Sequence, residues 1–206
     1  MNYIDYDPVG NLLKSLAKNN PLPDSFDLLP KPCLIPDFLK KIYQVQKTQG
    51  VFKDLYWLDD TYARGYKMEE DKEGLPIERT VAFYRSRHVL IDPSGFFMDK
   101  EADFNIEIAK GGCIVRLSSE RYDLLKVDVP ELQTMAIEAL SEYIDFGREK
   151  KAMMRLMGEA KYLEFIRLFG AKIESCFHQK EIADYLGWAP EYLNKIVAEL
   201  KRKKLI

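Results

Sequence analysis

Glu191, Asn194 and Lys195 lie within five residues of one another near the C-terminus, in "PEYLNKIVAEL". On a helix, side chains at this spacing share one broad side. Their chemistry suits base edges: a carboxylate accepts from cytosine N4, a carboxamide pairs with adenine, and an ammonium donates to guanine or to phosphate. Tyr192 adds a hydroxyl of the kind that bonds phosphate. Gln179 and Lys180, upstream in "HQKEIADYLG", have the same phosphate-binding character. Lys201 opens the basic run "KRKK", which adds charge attractive to a polyanion. Each of these side chains has a plain solvated reading as the alternative.

Other chemistry finds little support. His88 and His178 are the only histidines and lie in different regions, with no nucleophile pattern beside either. Cys33, Cys113 and Cys176 are odd in number and far apart, unlike a disulfide framework, a zinc site or an iron–sulfur cluster. No phosphate-binding glycine motif occurs. The expectation is a protein that is not an enzyme and holds no metal.

The elements that would position the polar residues are legible. Gln179–Leu186 reads as a helix with Ile182, Ala183 and Leu186 on its inner face. Ala183 is small enough for a second helix to cross closely. Gly187 stands where the chain must reverse, and glycine reaches positive φ without strain. Pro190 suits the first position of a second helix, whose buried stripe would be Leu193, Ile196, Val197 and Leu200. This is the spacing of a helix-turn-helix, with a helical hairpin unrelated to DNA as the alternative.

The chain has 206 residues, 47% hydrophobic and 31% charged, with a net charge of −2, ordinary for a globular protein. The charge is uneven: Leu156–Ile206 holds nine basic and seven acidic residues, while the rest is acidic on balance. A basic end on an acidic body fits an electrostatic footprint for DNA, or a solubilising tail. No apolar run approaches the roughly 20 residues needed to span a bilayer. The start, "MNYIDYDPVG", has no basic region of a secretory signal, so a cytoplasmic location is expected.

Along the chain, "VGNLLKSLAKN" predicts a short helix and the five prolines of residues 20–36 predict a loop or extended segment. From Ile42 to Leu117, short runs such as "KDLYWL", "ERTVAFY" and "CIVRL" are separated by turn residues, including "DPSG" and "KGG". They predict an antiparallel roll, barrel or sandwich. A long helix follows from about Val129 to Leu156, bent or ended by Gly147. Leu132, Met135, Ala136, Ala139, Leu140, Tyr143, Ile144 and Met154 fall on related faces. That stripe needs a partner surface, either a second copy of the chain or the β region itself.

The stretch "KYLEFIRLFGAKIESCFHQKEIADYLGWAPEYLNKIVAEL" resembles the DNA-binding domain of the Crp/Fnr family of bacterial transcription regulators, above all its divergent members from Bacteroidetes. The resemblance rests on "KYL" at Lys161–Leu163, "IADYLG" at Ile182–Gly187 and "PEYLNKI" at Pro190–Ile196. It extends more weakly to "LYWLDDTYARGYKM", "ERTVAFY" and the long helix. It implies an α+β chain: a cyclic-nucleotide-binding-like β-roll over residues 1–128, a dimerisation helix over 129–156 and a helix-turn-helix domain over 157–206. It further implies a homodimer on a palindromic operator in double-stranded DNA, with RNA polymerase among its partners. Pro190, Glu191 and Lys195 take the base-reading places. Some members bind haem, for which His88 is a candidate ligand, although a lone histidine on a strand is more often structural.

Three departures follow from the same likeness. Ala189 replaces the usual Ser or Thr, so the second helix lacks a good N-cap. Family members that bind cyclic nucleotides hold the phosphate with a Gly-Glu pair and a following arginine. Here Gly95 precedes Phe96 and Phe97, and no arginine lies between Arg87 and Arg116. No cofactor is expected and a cyclic nucleotide is not favoured. Phe96, Phe97 and Arg87 are the pocket candidates, the aromatic pair either lining an apolar pocket or filling the roll. Finally, "KRKKLI" can start a wing strand but not complete one, so a truncated or absent wing is expected. The rival function is a protein-interaction module on the same fold that no longer binds DNA.

Overall fold

The computed structural model describes residues 7–16 and 35–206. The chain opens with α1 (Pro8–Leu16), then enters a β region. Its strands are β1 (Ile35–Phe38), β2 (Tyr43–Gln46), β3 (Asp54–Asp59), β4 (Ala63–Glu70), β5 (Pro76–Tyr84) and β6 (Val89–Leu90). A short helix, α2 (Pro93–Met98), precedes β7 (Asn105–Ile108) and β8 (Cys113–Ser118). The remainder is helical: α3 (Ser119–Asp128), α4 (Glu131–Met154), α5 (Gly158–Phe169), α6 (Ile173–Cys176), α7 (Gln179–Leu186) and α8 (Pro190–Arg202).

The strands form two four-stranded antiparallel sheets, β1-β8-β3-β6 and β2-β7-β4-β5. Alternation sorts their side chains between two faces. Tyr56, Leu58, Leu90, Ile106, Ile108 and Ile114 fill the roll interior together with Phe52 and Tyr84. The odd-face neighbours Trp57 and Val115 turn outward and are covered by Leu12 of α1. Phe83 turns to the outer face of the second sheet, which matters below.

Some expectations hold and others are corrected. Of the proline-rich segment 20–36, residues 20–34, Cys33 among them, lie outside the described residues. Ile35 and Pro36 are extended, as expected, and pair with Arg116 and Val115 in β1. Proline is tolerated there because β1 is an edge strand. The last residues of the expected N-terminal helix, 17–19, also lie outside the described residues. The "DPSG" turn is the start of a helix: Asp92 caps α2 by accepting from Ser94 N–H, and Pro93 occupies the first position. A Cβ on Gly95 would come within 2.9 Å of the Phe52 backbone, so glycine lets α2 press against that strand connection.

The expected long helix is present as α4, and a further helix, α3, precedes it. Ser118 caps α3, accepting from Arg121 N–H at 3.3 Å, and α4 begins only at Glu131. Gly147 does not end α4, which continues to Met154. The predicted stripe also divides between surfaces. Leu132 is buried with α3, Met154 packs partly buried against the C-terminal helices beside Phe146 and Met153, which the stripe did not include, and Tyr143 and Ile144 are exposed.

Candidate nucleic-acid interface

The two helices α7 and α8 are joined by a tight reversal. Gly187 has φ +72, the left-handed conformation that ends a helix. Its N–H donates to Asp184 O at 3.0 Å, and Trp188 N–H donates to Ala183 O at 2.8 Å. Ala183 is fully buried at the crossing, where a larger side chain would push the helices apart. On α8, Leu193, Ile196, Val197 and Leu200 are buried in the aromatic core of the helical region. Glu191, Tyr192, Asn194 and Lys195 are exposed on the opposite side, with Pro190 at the first helical position. The structure thus brings these predicted residues onto one outward face.

Gln179 and Lys180 are exposed in the first turn of α7, and Lys201 is exposed in the last turn of α8 beside Arg202. Cations there complement the helix C-terminus as well as adding basic surface. Lys203 is less available, because it pairs with Glu159 at 2.7 Å. Ala189 makes no side-chain cap to α8. By contrast, α7 is tied at its start by Glu181, which accepts from His178 N–H at 2.7 Å. Among the described residues no strand follows α8.

Sequence reasoning missed what α7 does with its own polar residues. Asp184 accepts from Thr80 N–H at 2.5 Å and from Arg79 at 2.8 Å. β5 is the edge of its sheet, so the aspartate satisfies a backbone donor that would otherwise lack a partner. Glu181 pairs at 2.8 Å with Arg64 of β4, which is only 3% exposed and also pairs with Glu107 and Glu78. Burial works against the Arg64 charge, but the hydrogen bond to Glu78 and the charges of Glu107 and Glu181 outweigh it, and its pKa is raised. Phe83 completes the joint, with Phe177 and Tyr185 ring centroids both 5.0 Å from its own. The one available signal was the acid pair Glu181 and Asp184, three apart on a helix otherwise suited to facing phosphate.

The pocket candidates are not gathered. Phe96 is buried and Phe97 exposed on α2, both edge-on to Tyr122 of α3 with centroids 5.7 and 6.0 Å away. They border a cleft with Ile137 and Leu140 of α4, outside the cluster that fills the roll. Arg87 is exposed on the β5–β6 turn with φ +59 and does not line that cleft. His88 donates from Nδ1 to Ser86 O, 3.1 Å away. Cys113 is buried, and its thiol is pushed up to about 12, first by burial and then by Asp59. Among the described residues no group of three or more His, Cys, Asp or Glu is placed to hold a metal, and no helix is long and apolar enough to cross a membrane.

No protein-family model matches the chain, and no curated protein matches its sequence. Solved structures match its fold. FixK2 from Bradyrhizobium japonicum is 16% identical, with a TM-score of 0.55 over 83% of this chain and 86% of that one. A mutant of CooA from Carboxydothermus hydrogenoformans is 15% identical, with a TM-score of 0.57 over 94% and 85%. A transcriptional regulator of the Crp/Fnr family from Eubacterium rectale is 15% identical, with a TM-score of 0.54 over 91% and 87%. The fold shared with these regulators is the antiparallel β-roll followed by a long helix and a helical C-terminal region.

Proposed function

We propose that the chain is a DNA-binding transcription regulator of the Crp/Fnr type, working in the cytoplasm. The observation that carries this reading is the outward face of α8. It leaves Glu191, Asn194 and Lys195 exposed, while its inner face is locked into the core. The shared fold supports the same division into a roll (1–128), a dimerisation helix (129–156) and a helix-turn-helix unit (157–206). In this reading Pro190, Glu191, Asn194 and Lys195 face the major groove, and Gln179, Lys180, Tyr192 and Lys201 face phosphates.

The working form is a homodimer on a palindromic operator. Ile137 and Ile144, 67% and 53% exposed on α4, are one helical stripe that a second copy would cover. RNA polymerase contact belongs to the same reading. Cyclic nucleotide is not the signal: the roll interior is filled by aromatic and aliphatic side chains, and a buried phosphate needs a fixed positive fork. A Lys195→Glu variant tests the reading by gel shift at several salt concentrations. It should bind DNA about tenfold or more weakly than the parent, and the parent's affinity should fall steeply with salt. No affinity at low salt, or equal affinity for both proteins, would favour the protein-interaction module, for which the uncapped start of α8 is the supporting observation.

A further inference from the structure

The β5–β6 turn faces the C-terminal half of α4 across a small cavity of about 30 Å³. Its floor is the buried ring of Phe146. Two cations converge on that ring: the Arg85 guanidinium carbon lies 4.2 Å from its centroid and Lys150 Nζ 4.8 Å. The ring face compensates each charge in part. Among the described residues neither cation has a carboxylate within ion-pair distance, and the buried Nε of Arg85 has no hydrogen-bond partner. Glu142 lines the cavity without pairing with either. His88 lines it too, its Nδ1 engaged with Ser86 O. Burial, and secondly the charge of Arg85, push the Lys150 pKa down to about 8. Both cations are half-buried, and Glu149 and Glu142 act on Arg85 only from beyond pairing distance. Partly desolvated cations without a paired counter-charge are costly, and two of them facing one cavity favour an anion.

We propose that this cavity binds a small planar oxyanion, of the size of nitrate, formate or bicarbonate, held between the Arg85 fork and the Lys150 ammonium. The planar guanidinium suits two coplanar oxygens. The volume admits only a few heavy atoms, far short of a nucleotide. Glu142 works against a second negative charge, which disfavours phosphate. Arg85 sits just beyond β5 on the roll and Lys150 on α4, so one anion bonds both and fixes the long helix against the roll. The effect on DNA affinity rests on the regulator reading; the binding itself does not.

Isothermal titration of the full chain with sodium nitrate, formate and bicarbonate, each against sodium chloride at matched ionic strength, tests the site. At least one should give saturable binding beyond the chloride control. Arg85→Gln and Lys150→Met should each weaken it about tenfold, the loss expected for a charge-assisted hydrogen bond. Glu142→Gln should tighten it, which keeps the test intact if either cation variant fails to fold. Titrations that match chloride for all three anions overturn the proposal, as does binding that neither cation variant weakens or that Glu142→Gln leaves unchanged. A gel shift with and without the bound anion should show a change in DNA affinity, and an unchanged affinity overturns the coupling between roll and helix. Saturable anion binding by a chain with no DNA affinity under any condition would sink the regulator reading and leave the site standing.

Discussion

Arg64 and Arg85 both leave the second sheet for the helical part of the molecule, and they meet opposite surroundings. Arg64 is almost wholly buried and answered by Glu107, Glu78 and Glu181, two of them held on neighbouring strands and one on α7. Arg85 is half-buried against an aromatic ring with another cation beside it and no ion pair among the described residues. Burial raises the cost of charge in both places. At Arg64 fixed carboxylates return that cost, and its pKa is raised. At Arg85 burial dominates, and its pKa is lowered. The first arrangement holds two parts of the protein together; the second leaves a charge that a ligand can answer.

The largest test of this contrast is Arg64→Met. It strips the counter-charge from the largely buried Glu107 and from Glu181, and should cost about 3–5 kcal/mol of stability in urea denaturation. A loss below about 1 kcal/mol would mean that water compensates these carboxylates and that Arg64 is not the clamp described. Asp184→Ala comes next, at about 1–3 kcal/mol, because it leaves the edge N–H of Thr80 without an acceptor. Its exposed partner Arg79 adds little of this. Amide exchange at Thr80 should quicken in the variant, and unchanged protection would break the assignment of Asp184 to that edge.

Lys150→Met should have the smallest effect, within about 1 kcal/mol at neutral pH, since it removes an unanswered charge from a cavity rather than one member of a pair. Its signature is in pH. Burial, and secondly the charge of Arg85, hold the Lys150 pKa down to about 8, against the ordinary lysine value of 10.5. Between those values the unfolded chain holds a proton that the folded chain has released, so stability rises with pH across the window. Below about 8 both states are protonated and the penalty is complete. Arg85, His88, Glu142, Tyr84 and Tyr143 face the same cavity, so the comparison is with the parent protein. The parent should gain more stability than Lys150→Met between pH 8 and 10, and equal gains would break the contrast from the Arg85 side.

Local rules made the helix-turn-helix readable. Ala183, Gly187, Pro190 and the stripe from Leu193 to Leu200 occupy the places that size, φ and period 3.6 prescribe, and each depends only on near neighbours. The roll was readable as a class for the same reason, because "ERTVAFY" and "CIVRL" alternate between turn residues. Local rules were incomplete where a distant surface decided. They allowed an extended Pro36, and the sheet made it a strand because β1 is an edge. Gly147 stays helical because residues on both sides of it are held: Phe146 packs on Phe169 at 5.5 Å, and Met153 is fully buried. Phe96 and Phe97 face α3 and α4 rather than the roll interior, because α2 turns them there.

By itself the sequence determined the succession of β region, long helix and helix-turn-helix, the reversal at Gly187 and which side of α8 is apolar. These follow from backbone sterics and hydrophobic periodicity over a few residues. Only the tertiary structure decided that Glu181 and Asp184 serve the roll rather than face solvent, and that Phe83 enters the helical core. It alone brought Arg85 and Lys150, 65 positions apart in the chain, to one ring. A charge has no meaning for stability or binding until its neighbours are known, and those neighbours come from elements that periodicity cannot pair.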